Sequence, residues 1–124
     1  MAMPRITKEA LKERLDAVAM AAPLIIDARL KYPYEHSTVK LPGAMRIAPP
    51  NFDISELPRD REIVVYDSDP DEIVSARLVA KLIREGYKAS VLNGGIVEWL
   101  AVKFPTEQKK APKQKPPKAG ALKG

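Results

Sequence analysis

The chain has 124 residues, 45% hydrophobic and 30% charged, a composition that suits one globular domain with a single core. It contains no cysteine, which excludes disulfides, thiolate metal sites and thiol nucleophiles from this sequence. The formal charge is +5, but residues 106–124 hold six lysines against Glu107 and leave 1–105 neutral, so the domain lacks the basic face that a nucleic-acid partner requires.

Thr7 is placed to cap a helix over about 8–20, where Ala10, Leu11, Leu15 and Val18 recur at helical spacing. Pro23 ends that helix. The apolar stretch 17–26 is broken by Pro23, is too short to span a bilayer and lacks signal-peptide order. No membrane association and a cytoplasmic location are therefore expected. Residues 24–26 read as a buried strand with Asp27, Ala28 and Arg29 at its C-terminal end, and 30–45 read as irregular. A second short strand is expected at 45–48, before the Pro49–Pro50 break.

The clearest strand is 63–66, followed by Asp67-Ser68-Asp69-Pro70-Asp71-Glu72 and a helical pattern over 71–85. In that pattern Ile73, Val74, Leu78, Leu82 and Ile83 share one broad face, and Gly86 suits the left-handed position after the helix. Residues 89–92 read as another buried strand, Asn93-Gly94-Gly95 as a turn, and 96–102 as a last short helix. Strands alternating with helices point to an α/β domain with a mostly parallel central sheet and helices on both faces. The domain is expected to span 1–105. Residues 106–124, rich in Lys and Pro, are expected to be a disordered tail.

Several segments, in this order, resemble a rhodanese-like domain of the sulfurtransferase family. Asp27-Ala28-Arg29 resembles the family's Asp-x-Arg, and Leu41-Pro42-Gly43-Ala44, preceded by Tyr34-Glu35, resembles its Ile-Pro-Gly-Ala region. Leu57-Pro58 through Ile63–Tyr66 resembles the family's lead-in to its active-site loop. Gly86-Tyr87-Lys88 and Leu92-Asn93-Gly94-Gly95-Ile96, with Trp99 and Pro105, resemble its closing pattern. The likeness covers roughly residues 6–107 and implies a single rhodanese-like fold.

It also implies an active-site-loop equivalent made of Asp67, Ser68, Asp69, Pro70, Asp71, Glu72, Ser75 and Arg77, flanked by Asp27 and Arg29. In active members a cysteine stands where this chain has Asp67 and carries sulfur as a persulfide. The loop is similar to a longer family variant with two cysteines, and both positions are aspartate here, Asp67 and Asp69. The histidine usually found before Ile-Pro-Gly-Ala is Lys40. Persulfide transfer needs a thiolate, so no sulfurtransferase activity is expected and no residue is nominated as catalytic.

The acids then have several readings. Asp69 or Asp71 can cap the following helix. Asp67 can be a built-in anion in the amide cradle that would otherwise hold a persulfide. Asp67, Asp69, Asp71 and Glu72 also offer the hard oxygen ligands that Mg²⁺ or Ca²⁺ prefer, although the EF-hand spacing fails at Glu72 and Leu78. A strand followed by D-x-D is also similar to haloacid-dehalogenase phosphotransferases, whose further motifs are missing. Arg29 and Arg77 are expected to meet acids near the loop, His36 to lie in an exposed loop, and Trp99 to be core.

The expected function is an inactive rhodanese-like domain acting as a binding or regulatory module. The alternative is an enzyme using the Asp67/Asp69/Asp71 cluster for a divalent metal or as a nucleophile. No cofactor or resident metal is expected; the chain is taken as a monomer with a protein partner that the sequence does not name.

Overall fold

The computed structural model of the protein describes residues 3–17, 22–68 and 72–109. In chain order the elements are β1 (Arg5–Ile6), α1 (Lys8–Asp16), β2 (Leu24–Asp27), α2 (Lys31–His36), β3 (Val39–Lys40) and β4 (Met45–Arg46). They continue with β5 (Ile63–Tyr66), α3 (Ile73–Arg84), β6 (Ala89–Leu92), α4 (Gly95–Ala101) and β7 (Glu107–Gln108).

Five strands form one parallel sheet in the order β1-β6-β5-β2-β4, with β5 at its centre. All four residues of β5 are fully buried, because the sheet is covered on both faces and β5 has a neighbour on each side. Side chains alternate across it as a pleated strand requires. Ile63 and Val65 join Ile26, Val91 and the α3 residues Leu78, Val79 and Leu82 in one core layer. Val64 and Tyr66 join Ile25, Leu92, Leu11 of α1, and Ile96 and Trp99 of α4 in the other.

Local chemistry accounts for where the helices begin and end. Thr7 is the N-cap of α1, its hydroxyl oxygen accepting from the Ala10 amide at 3.1 Å. The helix ends at Asp16, short of the expected 20, with Ala17 already extended; residues 18–21 lie outside the described residues. At the end of α3, Gly86 has φ +95° and donates to the Ile83 carbonyl at 3.1 Å, while Tyr87 donates to Leu82 at 2.9 Å. That pair of bonds is the Schellman closure, and the left-handed residue it needs is the glycine.

Two expectations are corrected. The segment 30–45 is not irregular, since it contains α2 and β3. Helix α2 carries Pro33 in its first turn, where the missing N–H has no intrahelical partner to lose, and buries no residue. Without an apolar stripe it leaves no periodicity to read. The tail does not begin at 106, because β7 pairs antiparallel with β3, Val39 opposite Gln108 and Lys40 opposite Glu107. Residues 110–124 of the expected tail lie outside the described residues. No helix among the described residues is long and apolar enough to cross a membrane.

The β7 strap is tied by more than its ladder. Gly43 N donates to the Glu107 carboxylate at 3.1 Å, Lys109 N to the Thr38 carbonyl at 2.9 Å, and the Lys109 ammonium to the Tyr34 carbonyl. A chain ending at residue 106 is therefore expected to be about 1–2 kcal/mol less stable than one ending at 109, measured by urea unfolding of both.

Candidate functional site

The C-terminal ends of β2 and β5 lie side by side, with Asp27 in register with Tyr66. Open parallel sheets bind ligands at this end of their strands. Here the chain leaves β5 into Asp67 and leaves β2 into Ala28 and Arg29.

Asp67 is buried and works in two directions. Its Oδ2 accepts the Ser75 amide in the first turn of α3 at 2.6 Å. Its carbonyl accepts the Ile96 amide in α4 at 3.0 Å. A carboxylate at a helix N-terminus meets an unpaired N–H and the positive end of the helix dipole together. The N-cap position itself is Glu72, in the left-handed region at φ +60°, and its side chain makes no capping bond. At the Ser75 amide the acceptor is thus a residue from the preceding strand end rather than one adjoining the helix. Asp69, Pro70 and Asp71, the first and last of them expected as caps, lie outside the described residues.

Glu72 reaches away from its own helix. Its carboxylate accepts the Gly94 amide at 2.5 Å and pairs with Arg5 of β1. Ser75 is fully buried and its hydroxyl donates to the Glu72 carbonyl at 3.2 Å. Gly95 has φ +57°, and a Cβ there would lie 2.1 Å from the Asp67 carbonyl oxygen, so the close approach of the β6–α4 turn to Asp67 requires glycine. The loop after β5 is in this way joined to α3, to β1 and to the Gly94-Gly95 turn. Arg5, Gly94 and Gly95 were not predicted as site residues. The run Asn93-Gly94-Gly95 after a strand was the available signal, whereas nothing local marks Arg5.

Asp27 and Arg29 form a separate, buried pair. Arg29 Nη2 donates to Asp27 Oδ2 at 2.6 Å and Nε donates to Oδ1 at 3.0 Å, while Nη2 also reaches the Val39 carbonyl at 3.0 Å. Burial works against the charge on Arg29, and its hydrogen bonds and attraction to Asp27 outweigh it, so its pKa lies above the ordinary value. The Tyr66 hydroxyl donates to Asp27 Oδ2 at 2.9 Å and accepts from Leu41 N at 3.3 Å. Burial first, and the neighbouring Asp27 charge second, push the Tyr66 phenol far above its usual value.

Among the described residues the acid that Arg29 meets is Asp27, which flanks the loop. Arg77 is exposed on α3 and forms no ion pair among the described residues. His36 ends α2 rather than lying in a loop; it is exposed, with its ring 6.2 Å from that of Tyr32. Trp99 is core, its Nε1 donating to the Pro105 carbonyl at 2.8 Å and its ring meeting Phe104 edge-on. Lys40 pairs with Glu107 at 3.4 Å and donates to the Ala44 carbonyl. Among the described residues no group of His, Asp or Glu is arranged to hold a metal, and Asp69 and Asp71 are not among them.

Comparison with known proteins returns one family. The family model described as "Rhodanese-like domain" matches residues 7–102. Among solved structures, a full-length protein from Lactobacillus plantarum superposes with a TM-score of 0.73 at 22% identity, covering 85% of this chain and 88% of that one. A rhodanese-like domain protein from Staphylococcus aureus gives 0.68 at 23% identity, covering 87% of this chain and 100% of the other. A protein from an Anabaena species gives 0.65 at 27% identity over 84% and 82% of the two chains. No curated protein matches the sequence.

Two outcomes are expected from this geometry. Asp67→Ala leaves the buried Ser75 amide without its acceptor and should cost about 1–3 kcal/mol, while Asp67→Asn keeps an oxygen there and should cost less than about 1 kcal/mol; denaturant unfolding separates them. Tyr66 should govern alkaline stability. The unfolded chain loses the phenolic proton near pH 10 and the folded chain keeps it, so its contribution is whole below about pH 10 and is lost as pH rises above it. Tyr66→Phe should remove about one proton from the slope of stability against pH in that range.

Proposed function

The chain belongs to the rhodanese-like domain family, and from that premise we propose that it is a member without sulfurtransferase chemistry, serving as a binding or regulatory module. The observation that carries this reading is Asp67. It stands after β5 where active members have the sulfur-carrying cysteine, and its carboxylate takes the Ser75 amide at the N-terminus of α3. Sulfur transfer requires a thiolate that attacks sulfane sulfur and then holds it as a persulfide; a carboxylate oxygen cannot hold sulfane sulfur. A resident negative charge on that amide also repels thiosulfate or another anion from the same place.

What such a domain retains is a rigid surface around the ends of β2 and β5. On this reading the module acts as a monomer in the cytoplasm, uses no cofactor, and has a protein as its partner. The acids of the loop contribute to its architecture: Asp67 to α3 and α4, and Glu72 to β1 and the Gly94 turn.

The test is an amide NMR titration of the whole chain, following residues 67–77 with thiosulfate and separately with Mg²⁺. No saturable shifts are expected with either. Saturable shifts with thiosulfate would mean that the cradle is open to anions. Saturable shifts with Mg²⁺, abolished by Asp67→Asn, would replace the proposal with an enzyme that uses the Asp67/Asp69/Asp71 cluster as a cation site.

A further inference from the structure

Beside the loop, the start of α2, the segment after β4 and the first turn of α3 enclose a cleft of about 280 Å³. Leu30, Pro49, Pro50, Phe52 and Val74 make its apolar lining, and Lys31 and Arg77 complete it. Each wall follows the C-terminal end of a parallel strand, so the cleft opens at the ligand-binding end of the sheet. We propose that this cleft docks an acidic peptide segment of a partner protein that presents one large apolar side chain. The proposal rests on the reading of the domain as a binding module and gives that module a recognition surface.

The size of the cleft argues for a single anchor. At about 280 Å³ it falls at or below the lower end of small-molecule pockets, roughly 300–1,000 Å³, and suits one leucine- or phenylalanine-sized side chain. Apolar side chains in and next to the lining are half in water: Leu30 belongs to the lining, and Ile73 precedes the lining residue Val74. Leu30 is 49% exposed, and Ile73, the first residue of α3, is 48% exposed. Large apolar side chains left half in water around a concave site gain most from being covered by a second surface.

Charge selects the segment that carries the anchor. Lys31 and Arg77 are both exposed, and neither forms an ion pair among the described residues. Among the described residues no carboxylate lines the cleft. The described acids nearest in sequence to its α3 wall are already engaged, Asp67 by the Ser75 amide and Glu72 by Gly94 and Arg5. The two cations thus have no carboxylate partner among the described residues, and attraction of an incoming carboxylate at an exposed rim sets orientation and encounter rate while the apolar contact supplies most of the affinity. The same argument excludes this chain's own residues 110–124, whose charges are all positive.

The probe is a fluorescein-labelled peptide with one leucine flanked on each side by three glutamates, titrated into the full chain by fluorescence polarisation and amide NMR. Saturable shifts are expected at the amides of residues 30–31 and 51–52, with a Kd of about 0.01–1 mM. Replacing the leucine with serine should weaken binding at least about tenfold, and so should Lys31→Glu combined with Arg77→Glu in the protein. Both substituted residues are on the surface, so an unchanged urea transition verifies that the variant is folded.

The proposal is overturned by silence up to millimolar peptide, by equal binding of a peptide with lysines for glutamates, or by undiminished binding to the double variant. Dimerisation through the cleft, or a preference for vesicles containing anionic lipid over the peptide, would also overturn it. For this distinction the thiosulfate and Mg²⁺ titrations are read at residues 67–72, which precede the cleft's α3 residues Val74 and Arg77. Silence at 30–31 and 51–52 sinks the docking cleft and leaves the closed loop intact, whereas ion-induced shifts at 67–72 sink the closed loop and leave the cleft.

Discussion

A carboxylate buried at the end of the central strand of a parallel sheet must be given donors, and the placement of Asp67 makes that requirement organise its surroundings. Its side chain takes an amide of α3 and its carbonyl takes an amide of α4, so one residue joins the two faces of the sheet beyond its own strand. The arrangement also dictates composition nearby. Because the Asp67 carbonyl comes so close to the following turn, position 95 has no room for a Cβ and must also accept φ +57°. Glu72 adds a second tether from α3 across to Gly94 and β1.

A neighbouring carboxylate, Asp27, is satisfied differently, and the contrast explains why the two aspartates are not equivalent. Asp27 is ringed by donors from side chains: Arg29, the Tyr66 hydroxyl and, more distantly, Arg46 at 3.8 Å. The guanidinium of Arg29 is stationed by Asp27 and by the Val39 carbonyl. The excess positive charge at this cluster is absorbed by Tyr34, whose ring lies 4.0 Å from the Arg46 guanidinium and 3.8 Å from the Lys109 ammonium. Burial lowers the pKa of both cations, and the charge of Arg29 adds to the lowering at Lys109. A residue from the far C-terminal strap is thereby built into the region that the first half of the chain begins.

The proposed function turns on the group that stands at the end of the central strand. Here the group is a carboxylate that belongs to the framework. Among the described residues beside the loop, Leu30, Ile73, Lys31 and Arg77 are exposed to solvent. The proposed binding role rests on that distribution and not on the fold, which by itself does not specify a function.

The sequence by itself determined the elements whose apolar pattern is repeated and deep: the strands 24–27, 63–66 and 89–92, the body of α3, the Thr7 cap and the Gly86 stop. It also determined that no thiolate chemistry is possible, because that depends only on composition. It could not reveal α2, whose six residues bury nothing, or β7, whose two exposed residues become a strand only because β3 lies alongside. Tertiary structure alone decided the partners of the charged and polar groups around the loop. Arg5 and Glu72 are 67 positions apart, and the acceptor for the Ser75 amide lies eight residues back, beyond the two aspartates that local spacing favoured as caps. Apolar periodicity is written locally because burial repeats along each element, whereas a hydrogen bond to a buried charge is settled by whichever donor the packed fold brings within reach.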